Sequence, residues 1–168
     1  VVLTAAERKR QFDMAMEVHA LQPAINDASA AFGSLTRQMT EIGTTIRERA
    51  DVPADVKATF DAFNKDLSAL APRLTAPQGR GGRGGATENL LAKANQAKNT
   101  LMGGMVVGEQ TMRAYGETKA QTPKAIADLN AVIAKASALS GALAPYNLTL
   151  TVPQAIKVPE VASATRPK

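Results

Sequence analysis

The first fifty residues of this chain contain one long apolar seam. Its spacing averages about 3.5 residues, which places every member on one narrow stripe of an α-helix. Ten apolar residues follow one another at gaps of four and three in strict alternation: Met14, Val18, Leu21, Ile25, Ala28, Phe32, Leu35, Met39, Ile42 and Ile46. Because a stripe of this length must be buried against other helices, the sequence predicts an all-α bundle.

Size and composition limit how the bundle is built. At 168 residues the chain is long enough for one domain with a substantial core. It has no Cys or Trp, and only 4% of its residues are aromatic, so Ala, Leu, Ile, Val and Met must form the core. No apolar run approaches the roughly 18 residues that a membrane span requires. The first residue is Val, so we expect the sequence to continue a longer product or to follow processing.

The charge distribution argues against a nucleic-acid binder. Residues 1–50 carry six Lys or Arg against six Asp or Glu, and the net charge of the whole chain is only +5. The excess lies largely outside the predicted core, at Arg80, Arg83, Lys157, Arg166 and Lys168. A nucleic-acid-binding protein more often carries a basic stripe along one helix. We therefore expect no nucleic-acid partner.

Local signals predict four helices, over residues 5–49, 53–75, 87–102 and 110–144. Thr4 and Glu7 have the spacing of a capping box, and Pro23 should kink the first helix rather than break it. Thr87 and Thr111 are the expected N-caps of the third and fourth helices. The seams of the later helices are Val56, Phe60, Phe63, Leu67, Leu70 and Leu74; Leu90, Ala94, Ala97 and Leu101; and Ile126, Leu129, Ile133, Ala136 and Leu143.

The helix order predicts a four-helix antiparallel bundle over residues 5–145, with a long kinked first helix. Residues 1–4 would be the end of a preceding strand or linker, and residues 76–86 form a low-complexity linker. At Thr122–Pro123 the last helix either restarts or kinks. Residues 146–168 should form an extended, partly disordered tail, in which Leu148, Leu150 and Val152 alternate as in a short strand or an extended surface segment.

The residues do not form a recognisable catalytic, cofactor or metal site. His19 is the single histidine, and no His or Cys stands near it at metal-ligand spacing. The carboxylates are interleaved with Lys and Arg at spacings of three and four, as on a solvated helix surface. We therefore predict no catalytic residue, no cofactor-binding residue, no metal ligand and no enzymatic activity for this segment.

The run Gly79-Arg80-Gly81-Gly82-Arg83-Gly84-Gly85 is the sharpest short motif. Repeated Arg-Gly-Gly can bind RNA through phosphate contacts and stacking. Two copies without a nearby aromatic residue are weak, because the attraction of two charges is soon lost in salt. A flexible loop that Arg keeps hydrated is the favoured interpretation, and RNA binding is the alternative.

One stretch carries a family resemblance. Val1-Val2-Leu3-Thr4, followed by Ala5-Ala6-Glu7-Arg8-Lys9-Arg10-Gln11-Phe12-Asp13, resembles the junction in large bacterial proteins of the sortilin/VPS10-like, BNR-repeat group, where a β-rich section ends in a valine-rich strand and a helix follows. Thr118-Lys119 to Ala127-Asp128-Leu129-Asn130 and the Leu-rich ending resemble the last helix of that group. The resemblance implies the C-terminal helical appendage of a secreted or envelope-associated β-propeller protein, often labelled a glycosyl hydrolase.

From this resemblance we expect a non-catalytic accessory module whose partner is the propeller domain of the same polypeptide, in an extracytoplasmic location. No catalytic residue of a propeller can be carried over to this chain. Two alternatives stay open: a self-standing helical binding or oligomerisation module whose seam serves a partner chain, and an RNA-associated protein that uses the Arg-Gly-Gly run. The residues do not specify an oligomeric state.

Overall fold

The computed structural model describes residues 2–74 and 89–159. The described residues contain five α-helices and no strand, which confirms the all-α class. They are α1 (Ala5–Glu48), α2 (Ala54–Ser68), the single turn α3 (Ala71–Leu74), α4 (Leu90–Met102) and α5 (Glu109–Leu143), with a 3₁₀ turn at Ala144–Tyr146. The Arg-Gly-Gly run and the last nine residues lie outside the described part.

Helix α1 follows its sequence signals closely. The Thr4 hydroxyl accepts from the Glu7 backbone N–H at 3.2 Å, and the Glu7 carboxylate accepts from the Thr4 backbone N–H at 2.7 Å, so the predicted capping box is present. All ten seam residues are buried, which confirms the seam as the core face. The helix continues through Pro23 without a break. The kink there stays a prediction.

Helix α2 ends earlier than predicted, at Ser68 rather than near residue 75. The reason is Pro72, whose ring would clash with the carbonyl of Ser68 if the helix continued. The chain makes a turn at Ala69 and Leu70 and resumes as α3, with Pro72 in its first turn. The spacing of buried apolar residues continues across the break, since Leu67, Leu70 and Leu74 are all buried.

Two predicted N-caps are wrong. Helix α4 is capped by Asn89, whose side-chain oxygen accepts from the Ala92 backbone N–H at 3.0 Å, so it begins after the expected Thr87. Thr87 itself lies outside the described residues. Helix α5 is capped by Gly108, and Thr111 is a buried residue of its first turn. The end of α4 at Gly103 agrees with the prediction.

Helix α5 does not restart at Thr122–Pro123 but runs unbroken through Pro123. Its buried stripe also reaches further toward the N-terminus than the apolar pattern indicated, because Thr118 and Thr122 are fully buried members of it. The Thr118 hydroxyl donates to the Ala114 carbonyl at 2.8 Å, which satisfies it inside the helix. Threonine can therefore continue a buried seam that a search for apolar residues misses.

The predicted antiparallel four-helix arrangement is not confirmed, because the helices differ too much in length. At about 1.5 Å per residue, α1 is about 66 Å long, whereas α2 and α4 are about 22 and 20 Å long. Helices α2 and α4 each pack on both α1 and α5. They lie one after the other along the long helices. The bundle therefore has three rows of helix: α1, α5, and the row that α2 and α4 form together.

Contacts between helices give the directions of α4 and α5 relative to α1. Gln22 bonds to Asn95 and Gln11 to the Met105 carbonyl, so α4 runs antiparallel to α1. Helix α5 runs parallel to α1, since its start contacts Glu17 and the turn after its end receives a hydrogen bond from Arg49. Residues 147–159 then run back along α1 and α5, and Leu148, Leu150, Val152, Ile156 and Val158 pack on the main core.

Candidate interaction surface

The exposed large apolar side chains of the described residues all lie at one end of the bundle. This end, where α1 begins and the α4–α5 turn lies, is called the apolar end below. It is defined by Val2 (89% exposed), Phe12 (53%), Met16 (45%), Met102 (57%), Met105 (75%), Val106 (60%) and Met112 (37%). Scattered single apolar residues are normal on a protein surface, but their concentration at one end indicates an interaction site.

The local backbone explains why these residues are exposed. Phe12 and Met16 are four residues apart on the face of α1 that points away from its seam. Met105 and Val106 lie in the turn between α4 and α5, which Gly104 allows by adopting a positive φ of 71°. The Gln11 side-chain amide donates to the Met105 carbonyl at 3.0 Å and holds this turn against α1.

A groove of about 290 Å³ opens between the start of α1 and the α4–α5 turn. Its apolar lining consists of Leu3, Met14, Val106, Val107 and Met112, and its polar lining of Glu7, Arg10 and Gln11. Leu3 is buried although Val2 beside it is almost fully exposed. The lining of the groove therefore combines apolar and charged side chains, a combination typical of protein-binding surfaces.

Sequence reasoning missed this surface. It interpreted the methionines as core residues, and this is wrong for four of the six, since only Met14 and Met39 are buried. Methionine has a flexible, polarizable side chain that adapts to irregular partners. The sequence does contain one signal for it: Phe12 and Met16 are apolar but lie outside the 3.5-residue seam of α1, so they should face solvent.

Beside the apolar end, Glu17, Tyr115 and Lys119 form a polar cluster between α1 and α5. The Lys119 Nζ lies 2.7 Å from a Glu17 carboxylate oxygen and 3.2 Å from the Tyr115 hydroxyl, which donates to Glu17. Partial burial alone would raise the pKa of Glu17, but hydrogen bonds from Lys119 and Tyr115 outweigh it, and the pKa is lowered.

The same cluster changes the other two groups in a direction that opposes catalysis. Burial and the neighbouring Glu17 raise the pKa of the Tyr115 phenol, and the hydrogen bond to Glu17 raises the pKa of Lys119. Both groups therefore stay protonated near neutral pH and offer neither a nucleophile nor a base. The cluster holds α1 and α5 together.

His19 lies in an exposed polar network between α1 and α4. Its Nδ1 is 2.9 Å from the Lys98 Nζ and 3.3 Å from the Gln22 side-chain oxygen, and Gln22 in turn donates to Asn95 at 2.7 Å. His19 therefore contacts polar side chains of both α1 and α4. Across residues 2–74 and 89–159, no three His, Cys, Asp or Glu side chains converge as metal ligands.

A cleft of about 400 Å³ lined by Arg73, Lys93, Gln121 and Lys124 lies where α3, α4 and α5 meet. Two of its cations are paired, Lys93 with Glu117 at 3.1 Å and Arg73 with Asp128 at 2.9 Å. Lys93 also donates to Gln121 at 3.0 Å. These contacts tie α3 and the start of α4 to α5.

Length and composition alone would allow the segment Glu109–Tyr146 to cross a membrane, with a mean hydropathy of 1.2 over 18 residues. The core helix of a bundle meets the same criterion, and the apolar stripe of α5 is buried against the other helices. The expectation of no membrane span stays a prediction.

Comparisons with known proteins add no assignment. No protein-family model, curated protein or solved structure matches the chain. The resemblance to the sortilin/VPS10-like group therefore rests on the residues quoted for it in the sequence.

Proposed function

We propose that this chain is a non-catalytic interaction module that docks on a neighbouring protein domain through its apolar end. Following the sequence resemblance, the neighbour is a BNR-repeat β-propeller of the same polypeptide, in an extracytoplasmic protein. The observation that carries the proposal is the groove between the start of α1 and the α4–α5 turn, at an end of the bundle where Met105, Val106 and Met112 are exposed.

The position of this surface suits a domain joined on the N-terminal side. Val2 and Leu3 lie at the apolar end, and Leu3 lines the groove. A domain attached before Val2 would therefore emerge beside Met105, Val106 and Met112. Covering these side chains would remove apolar area from water, at about 25 cal/mol for each Å².

In the alternative of a self-standing binding or oligomerisation module, the α1 seam was expected to bind the partner, and a different surface is needed. All ten residues of the α1 seam are buried inside this chain, so the seam is not available to a partner chain. Among the described residues, the apolar end is the surface with exposed large apolar side chains that an oligomer could use instead. The RNA-associated alternative depends on residues 79–85, which lie outside the described part.

Calorimetry of the full-length protein, compared with its separated halves, tests the proposal. Docking through the apolar end predicts coupled unfolding transitions, and the double substitution Met105→Asp with Val106→Asp should uncouple them while leaving the bundle's own stability nearly unchanged. Thr44→Asp, an exposed site near the far end of α1, is the matched control. Two transitions that separation leaves unchanged would refute docking.

Two further measurements separate the proposal from the other possibilities. If light scattering shows that the isolated chain forms a dimer that Met105→Asp dissociates, oligomerisation replaces domain docking as the function. Turnover of glycosides or peptides by the isolated chain would overturn the non-catalytic assignment.

A further inference from the structure

The segment of residues 147–159, called the tail below, lies along α1 and α5 in an extended form. The Ser140 hydroxyl donates to the Leu150 carbonyl at 3.1 Å, and Asn130 contacts Ile156. Ser140 and Asn130 are ten helical residues apart, about 15 Å along α5. The six steps from Leu150 to Ile156 would reach about 20 Å in a fully extended chain but only about 9 Å in a helix. The tail is therefore largely extended here, and it runs antiparallel to α5.

Two side-chain amides hold the tail by its backbone. The Gln38 amide donates to the Thr151 carbonyl at 3.0 Å and accepts from the Thr151 N–H at 2.7 Å. The Asn130 amide does the same for Ile156, at 2.9 and 2.8 Å. Each amide thus pairs both polar groups of one residue, as a neighbouring strand would. Such contacts recognise an extended backbone whatever the side chain.

Apolar side chains of the tail, between and beside these amide pairs, determine which sequences can pack against the bundle. Leu150 is 3% exposed and belongs to the main core, and Leu148, Val152, Ile156 and Val158 pack on it partly buried. Residues 148, 150 and 152 alternate with polar residues, so the same side of an extended chain faces the bundle.

The fit between tail and helices is incomplete between the two amide pairs. An open depression of about 490 Å³ is lined by Asp27, Ala30 and Ala31 of α1 and by the tail residues Pro153, Gln154, Ala155, Ile156 and Lys157. The tail and α1 therefore leave solvent-accessible space beside them here, unlike the close packing of a core. A different peptide with larger side chains here would make additional contacts.

We propose that the surface formed by Gln38, Asn130, Ser140 and the depression beside Ala31, called the α1–α5 groove, is a binding site for an extended apolar peptide. In this structure the chain's own tail occupies it as an intramolecular ligand. The peptide it fits has apolar residues at alternate positions, as in Leu-x-Leu-x-Val, and offers its backbone to the two amides. A segment of this kind in a partner protein competes with the tail for the groove.

The test keeps the whole chain and separates the tail only after folding. A site for a sequence-specific protease is inserted between Tyr146 and Asn147, the purified protein is cut, and a fluorescent synthetic peptide of residues 147–159 is added. We expect the peptide to exchange with the cut tail, with a dissociation constant in the micromolar range by fluorescence anisotropy. Unlabelled peptide should displace it, and a peptide with Leu150→Asp should not.

The amide pairs are tested from both sides of the interface. Gln38→Ala and Asn130→Ala should each weaken peptide binding by tenfold or more, whereas Asn95→Ala, which removes an exposed amide on α4, should not. Peptides N-methylated at Thr151 or Ile156 lose one backbone donor without any change in the protein, and they should also bind at least tenfold more weakly.

Three results would overturn the proposal. One is the absence of exchange with a hundredfold excess of peptide while the cut protein keeps its helical circular dichroism. Another is loss of helical structure on cutting, which would make the tail an inseparable part of the core. The third is an affinity that N-methylation at Thr151 and Ile156 leaves unchanged.

Discussion

Replacing Phe32 with Ala, alongside the same replacement at Phe12, measures how much stability the α1 seam supplies. Both residues lie inside α1, so the gain in helix propensity, about 0.5 kcal/mol, is common to the two variants and cancels in their comparison. The difference between the two costs therefore reports packing alone.

The structure sets the expected magnitudes. Phe32 is 5% exposed and belongs to the main core, so its truncation removes nearly all of the transfer free energy and leaves a cavity, at a cost of about 3–5 kcal/mol. Phe12 is 53% exposed. Its truncation therefore removes roughly half of the 1.5–3 kcal/mol that full burial of such a side chain provides. After the propensity gain, its truncation should cost less than about 1 kcal/mol.

Denaturation by guanidinium chloride, followed by far-ultraviolet circular dichroism, is the suitable assay, because the chain has no Trp to report on unfolding. The dependence of the unfolding free energy on denaturant must be equal in the variants, so that shifts in midpoint report stability. Costs that agree within error, or a cost below about 1 kcal/mol for Phe32→Ala, would show that the seam has been assigned wrongly.

The remaining predictions concern buried hydroxyls, glycines and pH. Among the described residues the buried Thr122 hydroxyl has no hydrogen-bond partner, so Thr122→Val should be neutral or stabilise by up to about 1 kcal/mol, whereas Thr118→Val should destabilise by a similar amount, as thermal denaturation can show. A Cβ at Gly33 would contact nothing, so Gly33→Ala should stabilise by about 0.5–1 kcal/mol. Gly104→Ala should destabilise by about 1 kcal/mol because of its positive φ; equal melting temperatures for these two alanine variants would contradict at least one of the two predictions. The lowered pKa of Glu17 means that its contribution is present above the ordinary pKa of 4.5 and is lost as the pH falls through the folded value, so Glu17→Gln should flatten this part of the stability profile in acid.

The sequence determined the features that depend on local spacing. The seam of α1, its capping box and the end of α4 at Gly103 follow from side-chain periodicity and from the unpaired backbone groups at helix ends, which neighbours in the chain decide. Two other features have local causes that the spacing of apolar residues does not reveal. Pro72 accounts for the end of α2 at Ser68, and the buried Thr118 and Thr122 continue the α5 stripe through polar residues.

The tertiary structure decided how the elements combine. Whether α2 and α4 lie side by side or end to end depends on matching their lengths to α1 and α5, and single-helix periodicity contains no such information. The apolar end arises only when the α4–α5 turn comes to lie beside the start of α1, 94 residues away between Gln11 and Met105. Gln38 likewise meets Thr151 across 113 residues. Contacts at such separations are set by the packing of whole helices. The sequence therefore signals only the exposed Phe12 and Met16, through their phase on α1, and it does not place the α4–α5 turn beside them or form the α1–α5 groove.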